Sequence, residues 1–408
     1  SSIYMDVPYP TYIQRAQGCR MWDVDGNEYI DYIGNYGPLL LGHNNARVVE
    51  CIKQQLQTLW SGGLSEVEVD LAEKIKQYYK CAERILFLPT GSEACMKAIR
   101  TYRALSGKDK IAMFNGAYHG SSDSVCFQEG VPKDLLNKVV LMPFNDTEGT
   151  EKLIKANRSE LAAAIVEPTM GRMGHEPARR DFYRAIREIT EENGVPLIFD
   201  EIVDGFRIAH GGAQEEFGVK ADMTVLGKVL GGGLPLAAIA SSEQTMRIWA
   251  LQKSSSLDLV PPRIVNTGTY NDTKISMAAG LSTIDQLTPD TYDHLEEVGR
   301  GIREGLKSIC TEVKIKAQVT GISSMFSIFF TDEPIVNIDS AASANKLLYR
   351  YFAMSLLNRG IIIGKGGNPS FCSTPMTNSD VKRALNAAEE TLVTMRPMIK
   401  DIAPHLIS

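Results

Sequence analysis

The sequence lacks any long hydrophobic run. Its 408 residues are 44% hydrophobic, but charge or glycine breaks every apolar stretch well short of the roughly 20 residues that a membrane-spanning helix needs. No membrane partner is therefore expected. Excess positive charge is also missing: 43 Lys and Arg stand against 49 Asp and Glu, a formal net charge of −6. A nucleic-acid surface would cluster basic residues, so no nucleic-acid partner is expected and small metabolites fit better. The seven cysteines are odd in number and scattered, with no C-x-x-C spacing. Neither a disulfide framework nor a metal site follows from them, and a reducing, cytoplasmic setting is the default. A Walker loop is absent too, since Gly364-Lys-Gly-Gly367 does not continue as that pattern requires. No internal repeat or low-complexity tract is visible.

What is present is an alternation of short apolar runs with longer segments of helical period, between residues 85 and 240. Ile85 to Leu88, Ile111 to Phe114, Val139 to Met142, Ala163 to Val166, Leu197 to Phe199, Thr224 to Leu226 and Ala237 to Ala240 are the candidate strands. Continuous apolar runs of this length suit a parallel sheet covered on both faces, so the fold class is α/β with a mostly parallel seven-stranded sheet. Ser92 stands ahead of a helical segment from Glu93 to Leu105, as a start signal. Arg20 to Ile33 reads as two short strands about an Asp25-Gly26 turn. After residue 285 a long helical stretch and mixed elements suggest a smaller α+β domain. The expected organisation is residues 1–41 joining the small domain, 42–284 as the large domain, and 285–408 as the small domain.

Three local features could carry chemistry. Pro89-Thr-Gly-Ser-Glu-Ala94 is a strand-to-helix turn whose N–H groups and Ser92 hydroxyl could hold a phosphate, or could only cap a helix. Leu197-Ile-Phe-Asp-Glu-Ile202 delivers two carboxylates at a strand's carboxyl end, where open α/β sheets place their sites. A buried Asp200 needs a cation, which a protonated pyridine nitrogen would supply; solvated carboxylates or Mg²⁺ ligands are the alternatives. Thr224-Val-Leu-Gly-Lys-Val-Leu-Gly-Gly-Gly233 places Lys228 after a buried strand, where desolvation lowers an amine's pKa and frees it for Schiff-base chemistry.

These residues, with Trp22-Asp-Val-Asp-Gly26, Gly116-Ala-Tyr-His-Gly120, Glu167-Pro168, Gly205-Phe-Arg207 and Gly268-Thr269, resemble the class III aminotransferases of fold type I. Within that family the resemblance is greatest to the glutamate-1-semialdehyde 2,1-aminomutases. It implies pyridoxal 5′-phosphate as cofactor, joined to Lys228 as a Schiff base, with Lys228 also shuttling a proton. It implies Asp200 at the pyridine nitrogen, Ile202 and Tyr118 on the two ring faces, Gly91 and Ser92 at the phosphate, and Glu167 and His119 among the cofactor contacts. Thr269 would come from a neighbouring subunit, so that a homodimer shares its active sites. His119 is equally well read as a structural histidine, and Glu201 as structural. Tyr36 aligns with an aromatic on the substrate side of such sites, though a core tyrosine fits as well.

The chain departs from the aminomutase pattern in three places. Ser121 to Lys133 passes almost directly to the strand at Val139, leaving little length for a mobile lid. Arg172 stands where an asparagine is usual; it could meet a substrate carboxylate or lie in a surface loop. Gly366 to Cys372 lacks a glutamate. The expected activity is amino transfer between a small amino donor and a carbonyl acceptor, with intramolecular transfer of the aminomutase kind as the alternative. A racemase on the same scaffold, or a non-catalytic binding protein, would need other observations.

Overall fold

The computed structural model describes residues 10–250, 252–253, 259–260, 264–364 and 369–407; the Gly366 to Asn368 part of the C-terminal stretch named above lies outside them, as does Lys365 to Gly367. The chain forms two compact units.

One unit gathers the described residues up to Val49, the excursion Met170–Pro177, and the chain from Leu287 onward. Strands β1 (Ile13–Gln17), β2 (Arg20–Asp23) and β3 (Glu28–Asp31) form an antiparallel meander, and Ile361–Ile362 adds to β3 in parallel. The β2–β3 turn closes because the Asp23 carboxylate accepts the N–H groups of Asp25 and Asn27, while Gly26 takes the positive φ that the turn requires. The long helices Pro289–Glu312 and Asn378–Ile402 pack together, and Ile302, Leu306, Phe352, Leu392 and Ile399 share the core beneath them. Asp31, at the end of β3, accepts the N–H groups of Ile33 and Gly34 through Oδ1 and sits 2.8 Å from His43 Nε2 through Oδ2. The turn that follows runs through four consecutive left-handed residues, Gly34 to Gly37, and presents Tyr36.

The other unit, Glu50–Thr169 with Ala178–Gln286, is built on the expected seven-stranded sheet. Its strands are β4 (Arg84–Leu88), β5 (Lys110–Phe114), β6 (Val139–Met142), β7 (Leu161–Val166), β8 (Leu197–Glu201), β9 (Met223–Leu226) and β10 (Ala237–Ser241). Their order is β4-β10-β9-β8-β7-β5-β6. β5 to β9 are mutually parallel, whereas β10 runs antiparallel to both β9 and β4. Every residue of β7 is buried, which is why it reads as Leu-Ala-Ala-Ala-Ile-Val with no alternation. The helix Gly91–Ser106 lies across β7, β9 and β10, burying Ala94, Cys95, Ala98, Ile99 and Tyr102 at helical spacing. Among the described residues no helix is long and apolar enough to cross a membrane.

Candidate active site

The carboxyl ends of β8 and β9 bring the two residues singled out by chemistry onto neighbouring strands. Asp200 and Glu201 end β8, and in the parallel register they face Val225 and Leu226 of β9; Lys228 follows two residues later. Asp200 is 6% exposed. Its Oδ2 lies 2.7 Å from His119 Nδ1 and 3.2 Å from Cys95 Sγ, and its Oδ1 accepts the Ile202 N–H at 3.2 Å. Among the described residues no lysine or arginine is ion-paired with it. One ligand atom from each of Cys95, His119 and Asp200 lies within 4.8 Å of the other two, and the two short separations to Asp200 Oδ2 are those of hydrogen bonds.

Lys228 adopts a left-handed backbone, φ 46°, immediately after the extended Gly227. A side chain in that region costs about 1–2 kcal/mol, and such strain gathers at functional sites. Burial holds the Lys228 ammonium down, from its ordinary 10.5 to about 8, and the buried Arg207 guanidinium pushes the same way against the carboxylates of Glu167, Asp200 and Asp204. The amine is thus partly neutral at mild pH.

The phosphate candidate is arranged differently from the expectation that Ser92 opens the helix. The helix begins at Gly91, and Thr90 is the cap, its Oγ1 accepting the Glu93 N–H. Since Thr90 satisfies the end, the Ser92 hydroxyl is released from capping and instead accepts the Ser121 N–H at 3.2 Å. Gly120 makes that approach possible: it has φ +87°, and a Cβ there would fall 2.6 Å from Ser92 Cα. The N–H groups of Gly91 and Ser92 lead the helix, where anions are favoured.

Ile202 is half-buried and its Cδ1 lies against the backbone of both Gly91 and Gly227, so one side chain touches the phosphate turn and the lysine strand. Tyr118 is 52% exposed, and its backbone N–H donates to Glu167 Oε2 at 2.8 Å. Glu201 is structural in its contacts: buried, it accepts the Ala213 N–H and the Gln214 amide, and burial pushes its carboxyl up to about 8. Asp204, also buried, accepts from Thr169 through both oxygens, and burial raises it to about 7.

The structure therefore brings together Gly91, Ser92, His119, Asp200 and Ile202, beside the strand end that carries Lys228, and joins Tyr118 to Glu167. Thr269 is exposed on a separate stretch of the same unit. Tyr36 and Arg172 belong to the other unit, where Arg172 is exposed beside Asn345 and Phe330 in a cavity of about 390 Å³. Sequence reasoning missed Cys95 and Asp204. Each lies a few positions from a motif residue, but neither has a neighbour in sequence that announces its partner.

The class-III aminotransferase family matches residues 4–380. A glutamate-1-semialdehyde 2,1-aminomutase of Methanocaldococcus jannaschii is 37% identical over 399 residues, covering 94% of this chain and 91% of that protein. An ω-transaminase structure from Sphaerobacter thermophilus superposes with a TM-score of 0.91 at 32% identity, covering 97% of this chain and 94% of the other. The structure of a transaminase with PLP bound gives 0.89 at 28% identity, covering 98% and 94%. The resemblance carried by the motifs and the fold class expected from the strand pattern are both borne out, and the chain belongs to the class-III aminotransferase family.

Proposed function

We propose that this chain is a pyridoxal 5′-phosphate-dependent aminotransferase, moving an amino group between a small amino donor and a carbonyl acceptor. One observation carries the proposal: Asp200, a buried carboxylate with no lysine or arginine paired to it among the described residues, stands on the strand beside a partly neutral, backbone-strained lysine, Lys228. Those residues fit the cofactor. Asp200 lacks the cation that a pyridinium nitrogen provides, Ser92 and the Gly91 and Ser92 N–H groups suit a phosphate, and Ile202 and Tyr118 offer apolar faces.

When bound, pyridoxal phosphate supplies an aldehyde that condenses with amines and a ring that takes up an electron pair. Lys228 Nζ, partly neutral near pH 8, can attack a carbonyl carbon and can accept or return a proton at the same atom. Asp200 holds negative charge in a nearly dry setting, where it is worth more than in water. His119 keeps that carboxylate oriented through Nδ1. The resemblance aligns Tyr36 with a substrate-side aromatic, and Arg172 carries planar donors that match a carboxylate.

A homodimer is part of the proposal. Trp60, Leu64, Val265 and Tyr270 are large apolar residues left exposed, Leu64 at 97%. Their stretches adjoin, since the Lys274 N–H donates to the Trp60 carbonyl and Ser61 bridges Thr273. Thr269 lies in the same stretch, where a second copy would bring it to the neighbouring phosphate site.

Intramolecular transfer is the second reading, favoured by the name of the M. jannaschii relative, and it would use the same residues. Stoichiometry separates the two. Purified protein loaded with cofactor is given an amino donor alone; release of one carbonyl product per subunit is expected. Isomerisation of glutamate 1-semialdehyde at enzymatic rate, without a second donor, would establish the aminomutase instead. A donor–acceptor screen read through the cofactor's absorbance then identifies the substrates.

A further inference from the structure

Asp200 has an unequal distribution of donors over its two oxygens. A carboxylate offers about four acceptor sites, two on each oxygen. His119 Nδ1 and Cys95 Sγ both fall on Oδ2, at 2.7 and 3.2 Å, whereas among the described residues Oδ1 has only the Ile202 N–H. Oδ2 is saturated and Oδ1 keeps one site open. We propose that Cys95 is a positioning residue: together with His119 it fills Oδ2, so that Oδ1 is the oxygen presented to the ring nitrogen of the cofactor.

The surroundings support the assignment, which rests on the function proposed above. Cys95 is 1% exposed, and burial followed by the Asp200 charge raises its thiol well above the ordinary value, so it stays protonated and acts as a donor. The other nitrogen of His119, Nε2, is buried without a hydrogen-bond partner among the described residues, so the imidazole is committed to Asp200. Cys95 is also three residues beyond Ser92 on the same helix, hence on the same face. One helix would then grip the cofactor at both ends, with Ser92 at the phosphate and Cys95, through Asp200, at the nitrogen. A thiol is a weak donor in water, but it gains strength where the dielectric is low.

The test uses full-length apoprotein of the wild type and of Cys95→Ala, Cys95→Val and Cys95→Ser, titrated with pyridoxal phosphate. Affinity is read by fluorescence quenching, and the absorbance maximum of the bound chromophore is recorded. The apolar variants are expected to weaken binding by roughly five- to tenfold and to move the absorbance band, and Cys95→Ser, which keeps a donor, to restore both to within about twofold. Valine guards against a cavity effect in the alanine variant. Wild-type affinity and band position in Cys95→Val would overturn the role, as would a serine variant that behaves like valine. A wild type that binds no pyridoxal phosphate would instead defeat the function proposed above, a separately visible outcome.

Discussion

His119 Nδ1 stands 2.7 Å from Asp200 Oδ2, with both side chains buried at the carboxyl end of β8. This pair fixes the direction of the one charge on which the proposed chemistry turns. Asp200→Asn keeps the shape but removes the charge, and should lower kcat/KM for amino transfer by about 10²–10³. His119→Ala should cost less, because Cys95 and the Ile202 N–H still hold the carboxylate. Single-turnover kinetics on both variants checks the order.

Lys228 should show opposite effects on activity and stability. Lys228→Gly removes the amine, so transfer should fall below detection, while relief of the left-handed strain and of the buried ammonium should stabilise the apoprotein by about 1 kcal/mol or more. Urea denaturation of apoprotein measures the second effect, and an unstable glycine variant would contradict the strain assigned to this position.

The pH dependence follows from the same residue. Only the neutral amine attacks an aldehyde, so the rate at which apoprotein takes up pyridoxal phosphate should rise about tenfold per pH unit below 8 and level off above it. An ordinary lysine would keep rising to 10.5. Stability has a related sign: between about 8 and 10.5 the unfolded chain holds the proton that folded Lys228 has lost, so apoprotein stability should climb with pH there. Lys228→Met should lack that contribution.

Gly120→Ala should separate the phosphate from the ring. A Cβ at Gly120 would fall 2.6 Å from both Ser92 Cα and Oγ, in a backbone region that disfavours side chains. Affinity for pyridoxal phosphate should drop by at least about tenfold, from lost charge-assisted hydrogen bonds, whereas affinity for pyridoxal should hardly change. Equal losses for the two would show that the turn is not the phosphate site.

Leu64→Glu should dissociate the proposed dimer. The side chain is 97% exposed, so a lone subunit has no use for its apolarity and should remain folded with glutamate there. Analytical ultracentrifugation should show a shift from dimer to monomer, and an unchanged sedimentation coefficient would place the interface elsewhere.

Much of the large sheet is legible in the sequence for one physical reason: strands buried on both faces call for apolar residues, and Leu161–Val166 displays that need at every position, while Met223–Leu226 admits only Thr224. Asp200 and Lys228 are legible as charges that close or follow such runs, a placement that solvated carboxylates would also explain, and the resemblance then gives them roles. The helix start is only half legible. Thr90 and Ser92 are both capping types, and only the three-dimensional end of β4 decides that Thr90 takes the N–H, leaving Ser92 for other work. Cys95 cannot be found in this way, because it reads as one more small apolar residue on a helix face and its partner lies 105 positions further along. The resemblance names His119, but its pairing with Asp200, 81 positions away, is invisible in the sequence.

The reversal of β10 against β9 has a mechanical meaning. Lys228 is carried on a short U-bend, Gly227 to Leu236, whose two ends are clamped in adjacent strands at Leu226 and Ala238. In the proposed chemistry the Lys228 amine would thus be held close to the strand end that it follows, two residues beyond Leu226. Its local concentration would then stay far above any that dissolved amines could reach, so that reattachment would be fast and the catalyst would be reset by its own backbone.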